Sequence, residues 1–172
     1  MTLKLILING PAGVGKSTIS ARLHAELPNS SIVDIDDLRR KIPDYRERRE
    51  ESLRLSYENA ETVVKNTLSS GRSVIIDKAI FDTSVLDTFI EIGKNYNAQI
   101  WEFLLFAEKE TLIERAEGRG YRPNSLLTPE RVVAMWNKAD ILRQERAGLI
   151  CINTTQRDAE QVFQQIKQSV MP

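Results

Sequence analysis

Gly10-Pro11-Ala12-Gly13-Val14-Gly15-Lys16-Ser17, with Thr18 behind it, is the stretch whose residue types and spacing dictate a chemistry by themselves. Glycines at 10, 13 and 15 remove the Cβ atoms that would keep backbone N–H groups from turning inward around an anion. A helix starting near Gly15 would aim its positive end at that anion. Lys16 then supplies a mobile cation for the outer phosphates of a nucleoside triphosphate, and the Ser17 hydroxyl an oxygen for Mg²⁺. The pattern is Gly-x-x-x-x-Gly-Lys-Ser, a P-loop, and its flanks fit: Leu5-Ile6-Leu7-Ile8 leads in as a strand, and Ile19, Leu23 and Leu27 lead out as a helix. The expected nucleotide contacts are Gly10, Ala12, Gly13, Val14, Gly15, Lys16, Ser17 and Thr18.

Carboxylates form the second set. Asp77 closes the apolar run Ser73-Val74-Ile75-Ile76, where it could hold Mg²⁺ beside Ser17, directly or through water; the plainer alternative is a turn or capping aspartate. Asp34, Asp36 and Asp37 follow another apolar run. If strand alternation continues through them, Asp34 and Asp36 share a face, and Asp37 is left to cap the next helix. Asp36 is then placed to accept the proton of an attacking hydroxyl, although it too could serve as a cap. A third set is cationic: Arg115 and Arg119 at helical i, i+4 spacing, then Arg122. Such arginines can close over a triphosphate and neutralise the transferring phosphoryl group, or merely form a solvated face with Glu114 and Glu117.

Apolar runs alternate with helical patterns along the chain, which predicts βαβ units on a parallel sheet. Expected strands are the P-loop strand, Ser31–Ile35, Ser73–Asp77, Gln99–Phe106 and Leu149–Ile152. A short helix starts on Asp36-Asp37 and stops at Pro43, and a long one buries Leu53, Tyr57, Ala60, Val64 and Leu68 before Gly71. Asp82-Thr83-Ser84 can cap a helix running to about Tyr96. Residues 118–128, rich in glycine and arginine, interrupt the pattern as a surface lid, and Thr128-Pro129-Glu130 restarts a helix to about Arg146. A last helix carries Ala159, Val162, Phe163, Ile166 and Val170. In such sheets ligands bind beyond the carboxyl ends of the strands, where the P-loop, Asp34/Asp36/Asp37, Asp77/Lys78 and Asn153-Thr154-Thr155 fall.

Composition narrows the rest. The 172 residues suit a single domain, 1–172, with a full core. Twenty-four basic residues balance twenty-four acidic ones, which disfavours a dedicated nucleic-acid surface. A single histidine, His24, reads as a solvated residue and excludes multi-histidine metal sites. The single cysteine, Cys151, sits in an apolar run as a buried small hydrophobe and allows no internal disulfide. Trp101 and Trp136 read as core, and the group Arg39, Arg40, Arg46, Arg48, Arg49 and Arg54 as a charged face that could otherwise bind an anionic acceptor. No apolar run is long enough for a membrane span, and strand and P-loop begin too early for a signal peptide; a cytoplasmic protein is expected.

The P-loop, the Asp-x-Asp-Asp after the second strand and Arg-x-x-x-Arg-Gly-x-Arg in order resemble the small P-loop kinases: nucleoside monophosphate, shikimate and gluconate kinases and chloramphenicol phosphotransferase. Ile35-Asp36-Asp37-Leu38, with Arg115 and Arg119-Gly120-Tyr121-Arg122, is most similar to chloramphenicol phosphotransferase, whose catalytic carboxylate would fall on Asp36. The resemblance implies a three-layer α/β fold with strand order 2-3-1-4-5, ATP as donor, an adenine segment at Thr154 and Thr155, and an acceptor between the helices after strands two and three. Asp77-Lys78-Ala79-Ile80 departs from the Gly-rich motif of shikimate kinases, and the gluconate kinase motif is partly matched.

The sequence thus predicts an ATP- and Mg²⁺-dependent kinase for a small-molecule hydroxyl (sugar acid, nucleoside or hydroxylated antibiotic), with Lys16, Asp36, Arg119 and Arg122 catalytic. Its rivals are a non-kinase P-loop regulatory protein and a polynucleotide 5′-hydroxyl kinase. The Asn137-Lys138-Ala139-Asp140 match to a guanine-specific motif lies in an expected helix rather than on a strand-end loop, and is discounted.

Overall fold

Five apolar strands pair in parallel in a computed structural model of the chain, which describes residues 2–120 and 127–171. The order is β2-β3-β1-β4-β5, with β1 Lys4–Asn9, β2 Ser30–Asp34, β3 Ser73–Asp77, β4 Gln99–Phe106 and β5 Ile150–Asn153. Helices cover both faces, so the central strands are continuously apolar rather than alternating. Ile6 and Ile8 point into one core with Leu23 of α1 (Lys16–Glu26) and Ile166 of α7 (Ala159–Val170). Leu5 and Leu7 point into the other, with Val64 of α3 (Arg49–Ser69) and Phe89 of α4 (Thr83–Asn95). The expected three-layer architecture and strand order are those of this chain.

Register fixes what meets at the carboxyl edge. Asp77 pairs with Ile8 on one side and Asp34 on the other, so the P-loop, the end of β3 and the start of α2 (Ile35–Arg40) share one row. One buried side chain ties that row together. Asn9 accepts from the backbone N–H of Gly10 at 2.7 Å and of Ile80 at 2.9 Å, and its amide donates to the Ile80 carbonyl. The P-loop is thereby bound to the segment after β3. Gly10 is required for a steric reason: a Cβ there would lie 2.3 Å from the Leu105 carbonyl oxygen.

Several local expectations are corrected. Strand β2 ends at Asp34, and Asp34 is itself the N-cap of α2, accepting from the Asp37 N–H at 3.0 Å. Neither Asp36 nor Asp37 caps, and Asp34 and Asp36 are not alternate residues of one strand. In α3 the buried residues at the first turns are Ser52 and Ser56, while Leu53 and Tyr57 are only partly buried. Helix α5 (Lys109–Arg119) runs through Gly118 and Arg119, which were expected to begin the lid; Gly120 follows with a φ of 69°. Cys151 is half-buried, and so is His24, whose Nδ1 lies 2.9 Å from the Ser30 hydroxyl. Other caps stand as expected. Thr128 caps α6 (Pro129–Glu145), Asp82 caps α4, and Gly71 takes a φ of 77° just after α3.

Candidate active site

Gly15 adopts a φ of 100° and α1 begins at Lys16, so the loop closes onto the positive end of that helix. Lys16 Nζ donates to the Pro11 carbonyl at 3.1 Å. Burial pulls its pKa below the ordinary lysine value; Asp77 and Asp36 oppose that shift, while Lys78 and Arg119 add to it. Lys16 is thus a cation held inside the loop amid mixed charges, where a triphosphate would supply its counter-charge.

Asp77 is 7% exposed, and burial raises its carboxyl above the ordinary range; a hydrogen bond from Ser17 and the Lys16 charge pull it back. A hydroxyl and a carboxylate in contact suit a hard cation that takes oxygen ligands. Among the described residues no group of three or more His, Cys, Asp or Glu could hold a metal alone. Mg²⁺ commonly takes one or two protein oxygens and completes its shell with water and phosphate, so Ser17 and Asp77 fit it.

Across the loop, Lys78 Nζ donates to Asp36. Lys78 is buried at the end of β3, whereas Asp36 is 54% exposed and opens to a cavity of about 760 Å³. Lys16 and Ala12 line this cavity together with residues of α2, α3 and α6, Tyr45 and Arg46 before α3, and the segment from Lys78 to Asp82. That explains Leu53 and Tyr57: they form its wall instead of the core. Burial, with the Asp36 and Asp82 carboxylates nearby, pushes the Tyr57 hydroxyl up to about 12, so it stays a hydrogen-bond donor.

The arginines divide. Arg115 is committed to the loop after β5, donating to Thr154 Oγ1 at 3.1 Å and to the Thr154 carbonyl at 2.7 Å. It braces the expected adenine segment. Thr155 is likewise engaged: its hydroxyl donates to Asn153 Oδ1 at 2.7 Å and accepts from the Glu108 N–H at 2.9 Å. Arg119 is exposed at the end of α5, near enough to Lys16 to depress its pKa. Thr18 is exposed beside Ser17, and Ala12, Gly13 and Val14 complete the loop. Arg122 lies outside the described residues. Sequence reasoning places Lys78 at a strand end beside Asp77 but gives no sign of its pairing with Asp36, 42 positions away, and it misses Asn9.

A family model described as an AAA domain matches residues 5–140 of the chain. The chain belongs to that AAA-domain family. No curated protein matches it. Solved structures that do include a sugar kinase from Janibacter sp. HTCC2649, 15% identical, covering 98% of this chain and 94% of that one with a TM-score of 0.72. The tunicamycin resistance protein of Deinococcus radiodurans is 20% identical over 97% of this chain and 95% of its own, with a TM-score of 0.65. The Pnkp1/Rnl/Hen1 RNA repair complex holds a chain 21% identical, matching 86% of this chain and 47% of that one with a TM-score of 0.64. At these identities the likeness is one of fold, and the AAA-domain chain has a P-loop kinase-like fold.

Proposed function

We propose that the chain is an ATP-dependent phosphotransferase that moves the γ-phosphoryl group to a hydroxyl of a small molecule. The observation that carries this reading is the single cavity lined by both Lys16 and Asp36, a phosphate-binding cation and a carboxylate at one strand edge. A switch that hydrolyses nucleotide needs only room for water, whereas this cavity is large enough for a second substrate. The acceptor oxygen attacks the γ-phosphorus, the bond to the bridging β-oxygen breaks, and the hydroxyl proton passes to an Asp36 oxygen. Lys16 and the loop amides hold the phosphates, Lys78 orients Asp36, and Arg119 and Arg122 neutralise the developing charge. Mg²⁺ on Ser17 and Asp77 would supply charge neutralisation at the phosphate oxygens.

No helix among the described residues is long and apolar enough to cross a membrane, and one half-buried cysteine suits a cytoplasmic setting. The RNA repair likeness supports a second reading, phosphorylation of a polynucleotide 5′-hydroxyl. A test is acceptor-dependent ADP release, measured with sugars, sugar acids, nucleosides, hydroxylated antibiotics and a 5′-hydroxyl oligonucleotide, with GTP compared against ATP. ADP release rising with one small-molecule acceptor supports the first reading. Release with the oligonucleotide alone supports the second, and a preference for GTP without any acceptor effect defeats both.

A further inference from the structure

The cavity shared by Lys16 and Asp36 is far more basic than the chain. Beyond Lys16 and Lys78, five cations line it (Arg39, Arg40, Arg46, Arg131 and Lys138), against only two carboxylates, Asp36 and Asp82. The chain as a whole is neutral, so this imbalance is local. It is also poorly compensated. The Asp36 charge is taken by Lys78, and Arg40 reaches Asp37 at 3.5 Å and Asp34 at 3.7 Å. Among the described residues, Arg39, Arg46, Arg131 and Lys138 have no carboxylate within salt-bridge distance.

Arg39 matters most because it is only 9% exposed. Its Nε donates to Ser52 Oγ at 3.0 Å and one terminal nitrogen to the Arg49 carbonyl at 2.5 Å, which fixes the guanidinium plane but supplies no negative charge. Burying a cation without a carboxylate bonded to it is costly, and such a charge at a cavity wall is a candidate for ligand binding. Asp36, already paired with Lys78, is the carboxylate near enough to favour the Arg39 charge, and Arg131, from α6, comes close enough to repel it across the cavity. An anion between the two arginines would relieve both. Arg48 and Arg54, from the same basic run, pair with Glu51 and Glu58 on the outer surface and take no part.

Resting on the phosphotransferase reading, we infer that the acceptor is a compact anionic alcohol, a hydroxyl compound with a carboxylate or phosphate that docks on Arg39 and Arg131. Asp36 and Arg39 stand three residues apart on α2 and both line the cavity, so one compact acceptor can present a hydroxyl to the first and an anionic group to the second. Either oxyanion suits the planar fork of arginine.

Two measurements test this. In the first, acceptor-dependent ADP release is compared within matched pairs: a sugar and its aldonic acid, and a nucleoside and its 3′-monophosphate. The charged member should be favoured by roughly 10- to 100-fold in kcat/KM, the worth of one charged hydrogen-bonded contact. Arg131→Ala, a change at an exposed side chain, should erase most of that preference through KM. The acid and phosphate pairs separate the two anion sources. Equal rates within every pair would overturn the anionic assignment while leaving phosphotransfer standing, and so would a polymer preferred over every small acid. The second measurement needs no turnover. With a non-hydrolysable ATP analogue and Mg²⁺ filling the P-loop, inorganic phosphate should raise the melting temperature of the wild type but not of Arg39→Lys or Arg131→Ala. Equal stabilisation of all three proteins, or of none, overturns the proposal.

Discussion

Lys78, buried at the end of β3, is ion-paired with Asp36, which sits on α2 and faces the cavity. The lysine follows Asp77, and its backbone leads to Ile80, which Asn9 binds to the P-loop. The carboxylate assigned to the acceptor and the carboxylate assigned to Mg²⁺ are therefore positioned by one continuous piece of chain. Asp36→Asn should lower acceptor phosphorylation by at least about 10²-fold while nucleotide affinity stays near the wild-type value, because the amide cannot take the proton. Equilibrium ATP binding and single-turnover rates read the two effects separately. Loss of nucleotide binding in the variant would show that Asp36 serves the donor instead.

Asp34 and Asp37 should separate by stability rather than by rate. Asp34 caps α2, so Asp34→Ala should cost about 1 kcal/mol in a urea titration, and Asp34→Asn much less. Asp37 holds Lys41 and Arg40 on the surface, an arrangement whose worth is near zero in water. Asp37→Asn should therefore be nearly silent in both stability and turnover.

Lys16 pays for its position. Its pKa is lowered in the fold by burial, so the unfolded chain binds more protons between the folded value and 10.5, and the lysine costs stability below that window. Sign follows directly: stability attributable to Lys16 rises with pH through that interval. Lys16→Met should abolish phosphoryl transfer and leave the protein at least as stable as wild type at neutral pH, with a smaller alkaline rise. A variant that lost stability at neutral pH would mean that the Pro11 contact outweighs the desolvation.

Outside the residues that line the cavity, Arg146 donates to Glu102 and Asp87. Glu102 is 9% exposed on β4. Arg146→Ala would strand that carboxylate, with an expected loss of roughly 3 kcal/mol in chemical denaturation and no change in KM. Adding Glu102→Gln to the same chain should recover part of the loss.

Much of this arrangement is legible in the sequence because short-range rules govern it. A glycine loop after an apolar run has few conformations open to it, and helices on both faces require strands like Leu5-Ile6-Leu7-Ile8. The junction after β2 is harder to read. Asp34 looks like the alternate residue of a strand, and nothing local says that its side chain turns forward to the Asp37 N–H. Helix α3 misleads for a different reason: Leu53 and Tyr57 have core character but face a cavity, and Ser52 is buried because it joins Arg39 to the Tyr45 carbonyl. Arg39 cannot be told from Arg48 by composition. Only the fold turns one inward and leaves the other with Glu51.

The uneven placement of charge in a neutral chain carries a consequence for how substrates arrive. With surplus cations gathered around one opening of a neutral chain, the cavity mouth is a locally positive end of the molecule. A negatively charged alcohol and a nucleoside triphosphate are both drawn toward that end before they touch it. Added salt shortens the reach of the field, to about 8 Å at physiological ionic strength. Encounter should slow as salt rises, while the step after both substrates are bound keeps its rate.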